Sequence, residues 1–397
     1  MKYIKKDVPL WTVTIWDKKY KNVNSDWQPQ TIKYSYLLSD ALDKCKRPDG
    51  DIRILYTGKE VGYTFEELVS DYVNEGEIIA IPWGGIPTVK YFKGKFITGD
   101  NRIATSSIPT ELLNKYIYYF MLSRLQTIAS FYRGTGLKHP SMKEILKLKI
   151  SYPCVAEQNI IIQQFDAVET VIKCLEDQLT LCDELIESAF LEMFGDAENN
   201  PNNYPRLQLN DICTSIVRGP FGSSLKKAFF VEKSETTYKV YEQQHAIKKS
   251  ADIGNYYITE EKYNELKRFE CFAGDFIMSC SGTMGEIYQL PEECERGIIN
   301  QALCKFSLNK EMVLPIYFLT YMKMTIDALE TKGSGIKNIA AVSFVKALPI
   351  NCPPLDEQLK FSAFVDTIDS LKSEIISRIE LYKEIFSNKL KECFGEE

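Results

Sequence analysis

Two stretches of the chain place apolar residues in alternating steps of three and four. In the first, Ile161, Phe165, Val168, Ile172, Leu175, Leu179, Cys182, Ile186, Ala189 and Met193 share one phase. In the second, Phe361, Val365, Ile368, Ile375, Ile379, Tyr382, Phe386 and Cys393 keep that phase, interrupted by Lys372 and Lys389. This is the a/d seam of a coiled coil, where a polar residue fixes register at some cost in stability. Pro153 precedes Glu157-Gln158 at the start of one stretch, and Pro353 precedes Glu357-Gln358 at the start of the other. Proline is tolerated in a first helical turn, and a carboxylate there complements the helix dipole. Each stretch closes on Phe-Gly, at Phe194-Gly195 and Phe394-Gly395, and glycine suits a helix C-cap. About 40 residues rising 1.5 Å each predict helices of about 60 Å. A seam of that length needs a partner, and each copy can serve the other.

The repeat runs without a gap from 151–195 to 351–395. Asp166 matches Asp366, Leu181 matches Leu381, Glu184 matches Glu384 and Glu192 matches Glu392. Upstream, "GEIIAIPWGG" echoes "GDFIMSCSGT", and "GTGLK" echoes "GSGIK". A single period near 200 residues is a duplication and not a solenoid. Between the helices, "DIRILYTG", "EIIAIPW", "TVKYFKGKFI", "DFIMSC" and "GEIYQL" have strand character. "TELLNKYIYYFMLSRLQTIAS" and "MVLPIYFLTYMKMTIDALET" predict helices. The expected order is therefore an α/β domain over 1–154, a helix over 155–195, a second α/β domain over 196–354 and a helix over 355–397.

Charge sharpens this division. The net charge is −6, yet residues 1–154 carry about +7 and the helical segment 155–195 about −8. A basic first domain is suited to phosphates, and acidic helices are suited to protein partners. The 11 cysteines are scattered singly and only two histidines occur, His139 and His245, so zinc chemistry is not expected. Reduced cysteines, no 18-residue apolar run and no secretory signal pattern predict a cytoplasmic protein. No G-x-x-x-x-G-K-[ST] loop and no G-x-G-x-x-G after a strand occurs. "NCPP" at Asn351 superficially echoes an adenine-methyltransferase site, but Cys352 intrudes and Leu355 stands where an aromatic belongs. "RGTGLK" and "KGSGIK" fit phosphate-binding loops and tight turns about equally well.

Together, "LKISYPCVAEQNIIIQQFDAVETVI", "ALPINCPPLDEQLKFSAFVDTIDSL", "YEQQHAI", "SCSGTMG", "GIINQALCKF" and "ITGDNRIAT" resemble the specificity subunit of type I restriction–modification systems. The resemblance covers essentially the whole chain and rests on the order and repetition of these segments. It implies an α/β fold class: two target recognition domains separated by two long helices that form an intramolecular antiparallel coiled coil, duplicated about a pseudo-two-fold. It implies a non-catalytic subunit that reads a bipartite site in double-stranded DNA. The implied partners are two methyltransferase subunits, which carry S-adenosylmethionine, and motor-nuclease restriction subunits. The chain itself is expected to hold no cofactor and no metal.

Candidate DNA contacts follow from residue chemistry. In the second domain, Arg218, Ser223, Ser224, Lys226 and Lys227 sit on a glycine-bearing stretch suited to phosphates. Gln243 and Gln244 carry amides that match adenine edges. Ser281, Thr283, Asn300 and Gln301 fall in the resembling segments. In the first domain the candidates are Lys18, Lys19 and Tyr20, Lys90 and Lys93, Asn101 and Arg102, and Arg133 and Lys138; Lys337 flanks the second Gly-x-Gly loop. Two other readings stay open at this stage: a self-contained DNA methyltransferase or nuclease, and a coiled-coil scaffold without a DNA role.

Overall fold

The computed structural model describes residues 5–17, 31–58, 60–196, 199–331, 339 and 341–395. Contacts divide the chain into two compact units, 1–176 with 376–397, and 177–375. Each unit combines one α/β domain with portions of both long helices.

The first unit contains β1 Thr14–Asp17, β2 Ile52–Leu55, β3 Val61–Thr64, β4 Asn74–Pro82, β5 Lys90–Thr98 and β6 Asn101–Ser106. With the short segment Thr31–Ile32 they form a seven-stranded sheet in the order Thr31–Ile32, β1, β6, β4, β5, β2, β3. Along β4 the side chains alternate between two cores. Ile79 and Ile81 join Tyr116, Phe120 and Phe165, while Ile78 and Ala80 join Phe96 and Ile103. Burial on both faces is why this strand reads as a continuous apolar run.

The second unit contains β7 Cys213–Arg218, β8 Thr237–Tyr241, β9 Tyr257–Thr259, β10 Phe276–Ser279, β11 Ile287–Gln289, β12 Gly297–Ile299 and β13 Leu303–Leu308. The order β7-β13-β10-β11 repeats β1-β6-β4-β5. The parallel pairing of β8 with β12 repeats that of β2 with β5. In the first unit β5 is one nine-residue strand that serves both pairings. In the second unit, Leu290–Arg296 breaks the corresponding strand into β11 and β12. One sheet there becomes two four-stranded sheets.

Among the described residues the helices of ten residues or more are α1 Asn114–Ser123, α2 Val155–Phe194, α3 Pro315–Thr331 and α4 Leu355–Phe394. The repeated glutamine explains how α2 and α4 are seated. Gln158 is fully buried: its Oε1 accepts from the Leu113 amide at 2.9 Å, and its Nε2 donates to the carbonyls of Glu111 at 2.7 Å and Pro153 at 2.8 Å. Gln358 repeats every bond, with Leu314 at 2.8 Å, Met312 at 2.9 Å and Pro353 at 2.8 Å. One side chain thus satisfies backbone groups that burial would otherwise leave unpaired. It fixes the first turn of each long helix to the loop before α1 or α3. The tyrosines in the first turn of those shorter helices, Tyr116 and Tyr317, donate to Ser151 and Asn351 carbonyls.

The far helix ends are fixed to the opposite repeat. Within the first unit, Phe394 of α4 packs on Tyr116 at 5.2 Å, and Phe386 packs on Phe165 at 5.2 Å. The Arg124 guanidinium donates to the Phe394 and Gly395 carbonyls. Within the second unit, Phe194 of α2 packs on Tyr317 at 4.9 Å and Phe361 at 5.6 Å. The Asn351 amide there donates to Phe194 and Asp196 carbonyls. Gly195 and Gly395 have φ of 71° and 80°, the left-handed conformation of a C-cap. In both units the start of one helix lies against the end of the other, an antiparallel pairing.

Along α2, Phe165, Leu175 and Cys182 are buried, and Ile161, Val168, Ile172, Leu179, Ile186, Ala189 and Met193 are half-buried. Along α4, Phe361, Val365, Ile368, Ile375 and Ile379 are buried, and Tyr382, Phe386 and Cys393 are half-buried. Lys372 pairs with Asp183 of α2 at 2.6 Å. No helix among the described residues is long and apolar enough to cross a membrane.

Candidate nucleic-acid interface

In the second unit, strand ends and loops converge. Arg218 closes β7; its Nε donates to the Gln301 carbonyl at 3.0 Å and its Nη2 to the Cys280 carbonyl at 3.3 Å. The next residue, Gly219, runs so close to Asn300 that a Cβ would stand 1.8 Å from its carbonyl oxygen. His245 is buried in the short helix Gln243–Ile247. Its Nδ1 accepts from the Glu242 amide at 2.9 Å, and its Nε2 donates to the Ile253 carbonyl at 2.7 Å. Burial holds its pKa below the ordinary histidine value. This neutral ring braces the turn that carries Gln243 and Gln244. Gln243 lies beside Gly282, where a Cβ would meet its amide nitrogen at 3.5 Å. Ser279 anchors that loop by donating to the Thr283 carbonyl at 2.6 Å and accepting from the Glu286 amide at 3.0 Å. Ser281, Thr283, Gln301, Ser223, Ser224, Lys226 and Lys227 are exposed, and Gln243 is half-buried. Phe221 projects among them, 67% exposed.

In the first unit, the Trp83 ring lies 3.9 Å from the Arg102 guanidinium and 5.2 Å from the His139 ring. The His139 Nδ1 donates to the Trp83 carbonyl at 2.7 Å. These contacts join the glycine turn after β4 to the hairpin formed by Tyr132–Arg133 and His139–Pro140. Arg133 and Lys138 are exposed on that hairpin, next to exposed Leu137, and Ile86 is exposed on the glycine turn. Thr57, Gly58, Gly84, Gly85, Ile86 and Thr88 line a cavity of about 170 Å³ beneath.

The family model for the type I restriction modification DNA specificity domain matches residues 37–181 and again 201–381. The chain belongs to this family. The matched domain is a module for DNA recognition and not a catalyst. Among solved structures, the chain is similar to the type I restriction–modification system S subunit from M. genitalium. The identity is 15%, coverage is 100% of this chain and 97% of that one, and the TM-score is 0.49. It is also similar to a chain from a structure describing complex assembly and conformational transition of the type I R-M system. There the identity is 15%, coverage is 81% and 82%, and the TM-score is 0.54. No curated protein matches the chain.

Several candidate DNA contacts of this specificity subunit are already engaged within the chain. Asn101 is fully buried and donates to the Leu55 carbonyl at 2.9 Å and Thr98 Oγ1 at 3.1 Å, so its amide holds a turn. Arg102 is buried, with its charge against Trp83. Asn300 uses its side-chain oxygen to accept from the Ala302 amide at 3.0 Å. Gln244 donates to the Glu242 carboxylate at 2.8 Å. Lys90 turns inward and donates to the Tyr56 carbonyl. Lys93 is exposed, 3.4 Å from Glu77. Lys18, Lys19, Tyr20 and Lys337 lie outside the described residues. Phe221 escaped sequence reasoning; the signal available was an aromatic enclosed by glycines in "RGPFGSS". Among the described residues no cluster of His, Cys, Asp or Glu fits a metal ion.

Proposed function

We propose that each domain reads one half of a bipartite DNA site, and that the long helices set the spacing between halves and dock adenine-methyltransferase subunits. The observation that carries this reading is the duplicated seat. Gln158 and Gln358 fix equivalent α/β domains to equivalent helices by the same three hydrogen bonds. A duplicated reader fits a duplicated target, and half-sites about 34 Å apart present the same face of the duplex. On this reading Arg133 and Lys138 in the first domain, and Arg218, Lys226 and Lys227 in the second, approach phosphates. On the same reading Ser281, Thr283, Gln243 and Gln301 meet base edges, with Phe221 as an apolar contact.

The docking surface is repeated as well. Leu181 and Leu185 on α2, and Leu381 and Ile385 on α4, are exposed one turn apart at matching positions. Glu184 and Glu384 flank them. Two equal patches fit two copies of one partner, and the acidic surround favours a basic one. The partners supply S-adenosylmethionine and methyl transfer, and restriction subunits complete the assembly. In a test, seven residues inserted into α2 between 170 and 180, with the matching insertion in α4, lengthen the seam by about 10 Å. Sequencing of methylated DNA then shows a longer spacer and unchanged half-sites. Altered half-sites with an unchanged spacer overturn the reading.

A further inference from the structure

The two domains place a cation at the same point of their sheets and treat it differently. In the second domain this cation is Lys239, which stands opposite Gly297 on β12 and Tyr257 on β9. Lys239 is buried, and its ammonium lies 3.3 Å from the Glu295 carboxylate. That carboxylate also accepts from the Tyr257 hydroxyl at 3.0 Å and pairs with Lys233 at 2.7 Å. The buried cation therefore has a counter-charge within the chain.

In the first domain the matching residue is Arg53, opposite Phe96 on β5 and Tyr63 on β3. Its guanidinium donates to the Tyr63 hydroxyl at 3.0 Å, and among the described residues no carboxylate pairs with it. A second cation, Lys90, lines the same cavity of about 470 Å³, together with Thr88, Tyr91 and Tyr118. Glu60 also lines it, but is held by Lys46 at 2.8 Å. Arg53 Nε and Thr88 Oγ1 are buried there with no hydrogen-bond partner. Burial first, and the Arg53 charge second, push the Lys90 pKa down to about 8. Lys90 donates to the Tyr56 carbonyl, but among the described residues neither cation is paired with a carboxylate, and like charges beside unpaired donors are the complement of an anion.

We propose that this cavity binds a phosphoryl group, with Arg53 and Lys90 receiving from outside the negative charge that Glu295 provides inside the second domain. Arginine supplies a planar fork and lysine a point charge, the usual pair for a phosphate oxyanion. A DNA backbone phosphate and a free phosphate share this chemistry. The first source rests on the DNA-reading assignment, and the second does not.

The test is acylation of Lys90 in the full-length protein at pH 8, read by peptide mass spectrometry. Three samples at equal ionic strength contain chloride, inorganic phosphate or duplex DNA, and binding of the DNA is followed by mobility shift. A bound anion that lifts the lysine pKa by one unit near pH 8 lowers the free amine from about a half to about a tenth. Labelling therefore slows roughly fivefold, while exposed Lys248 is unchanged by phosphate. Arg53→Gln removes this protection. Slowing by DNA alone assigns a backbone phosphate, and slowing by phosphate assigns a site that free phosphate also fills. DNA that is bound while Lys90 labels as in chloride, with no effect of phosphate, overturns the proposal and leaves the DNA-reading assignment standing. Protection by phosphate with no DNA binding does the reverse.

Discussion

Replacing Gln358 by alanine tests how the long helices are seated. The side chain is fully buried and makes three hydrogen bonds, to Leu314, Met312 and Pro353. Each bond contributes about 1 kcal/mol net, and partners left dry cost more. The expected loss is therefore about 3 kcal/mol. For a cooperative unit of roughly 200 residues, each kcal/mol moves the midpoint by about 2–4 °C. Thermal melting followed at 222 nm should fall by about 6–12 °C, and hydrogen exchange should accelerate in α3 and the first turns of α4. Gln163→Ala, on the exposed face of α2, serves as the control and should stay within about 0.5 kcal/mol. Gln358→Glu preserves shape but turns the Nε2 donor into an acceptor facing two carbonyls. A glutamate buried there has a folded pKa above its unfolded value. Its stability contribution is therefore present below the unfolded pKa and is lost as pH rises through the folded one, so the variant weakens between about pH 4 and neutrality. A midpoint for Gln358→Ala within about 1 kcal/mol of the parent refutes the argument.

Three further outcomes follow from the same geometry. Phe194 is fully buried against Tyr317 and Phe361, so Phe194→Ala should destabilise the second unit by about 3–5 kcal/mol in urea titration. Glu169 accepts from Tyr118 and Tyr119, yet burial raises its pKa above the ordinary carboxylate range. By linkage, Glu169→Gln should gain stability over the parent as pH rises from about 4 toward 7, checked by urea titration across that range. Leu181→Asp with Leu381→Asp should leave melting unchanged and abolish co-purification with methyltransferase subunits, and either single change should retain one copy.

The long helices were legible because two terms of the physics agree there. The three–four alternation names the buried side, and proline and glycine mark the ends. The family was legible for a related reason, since a gapless repeat survives in elements whose length is constrained. The function of the glutamine in Pro-x-x-x-Glu-Gln was not. Its partners, Glu111 and Met312, lie more than 40 residues upstream of Gln158 and Gln358, and no local rule links them. Helix pattern also overran at Arg124, where the predicted helix 110–130 breaks after Ser123 and resumes at Leu125. There the arginine is used to cap α4. Surface chemistry was the least legible. Asn101 and Arg102 have the residue types of a DNA contact, but their exposure depends on sheet partners that pattern alone does not specify.

That one chain reads two separated half-sites is tested most directly by modification-specific sequencing of the host genome, with and without this gene. The expected result is methylated adenines at a motif of two short fixed sequences flanking an unspecified spacer, absent when the gene is deleted. Methylation that persists without the gene, or that marks a continuous motif with no spacer, contradicts it.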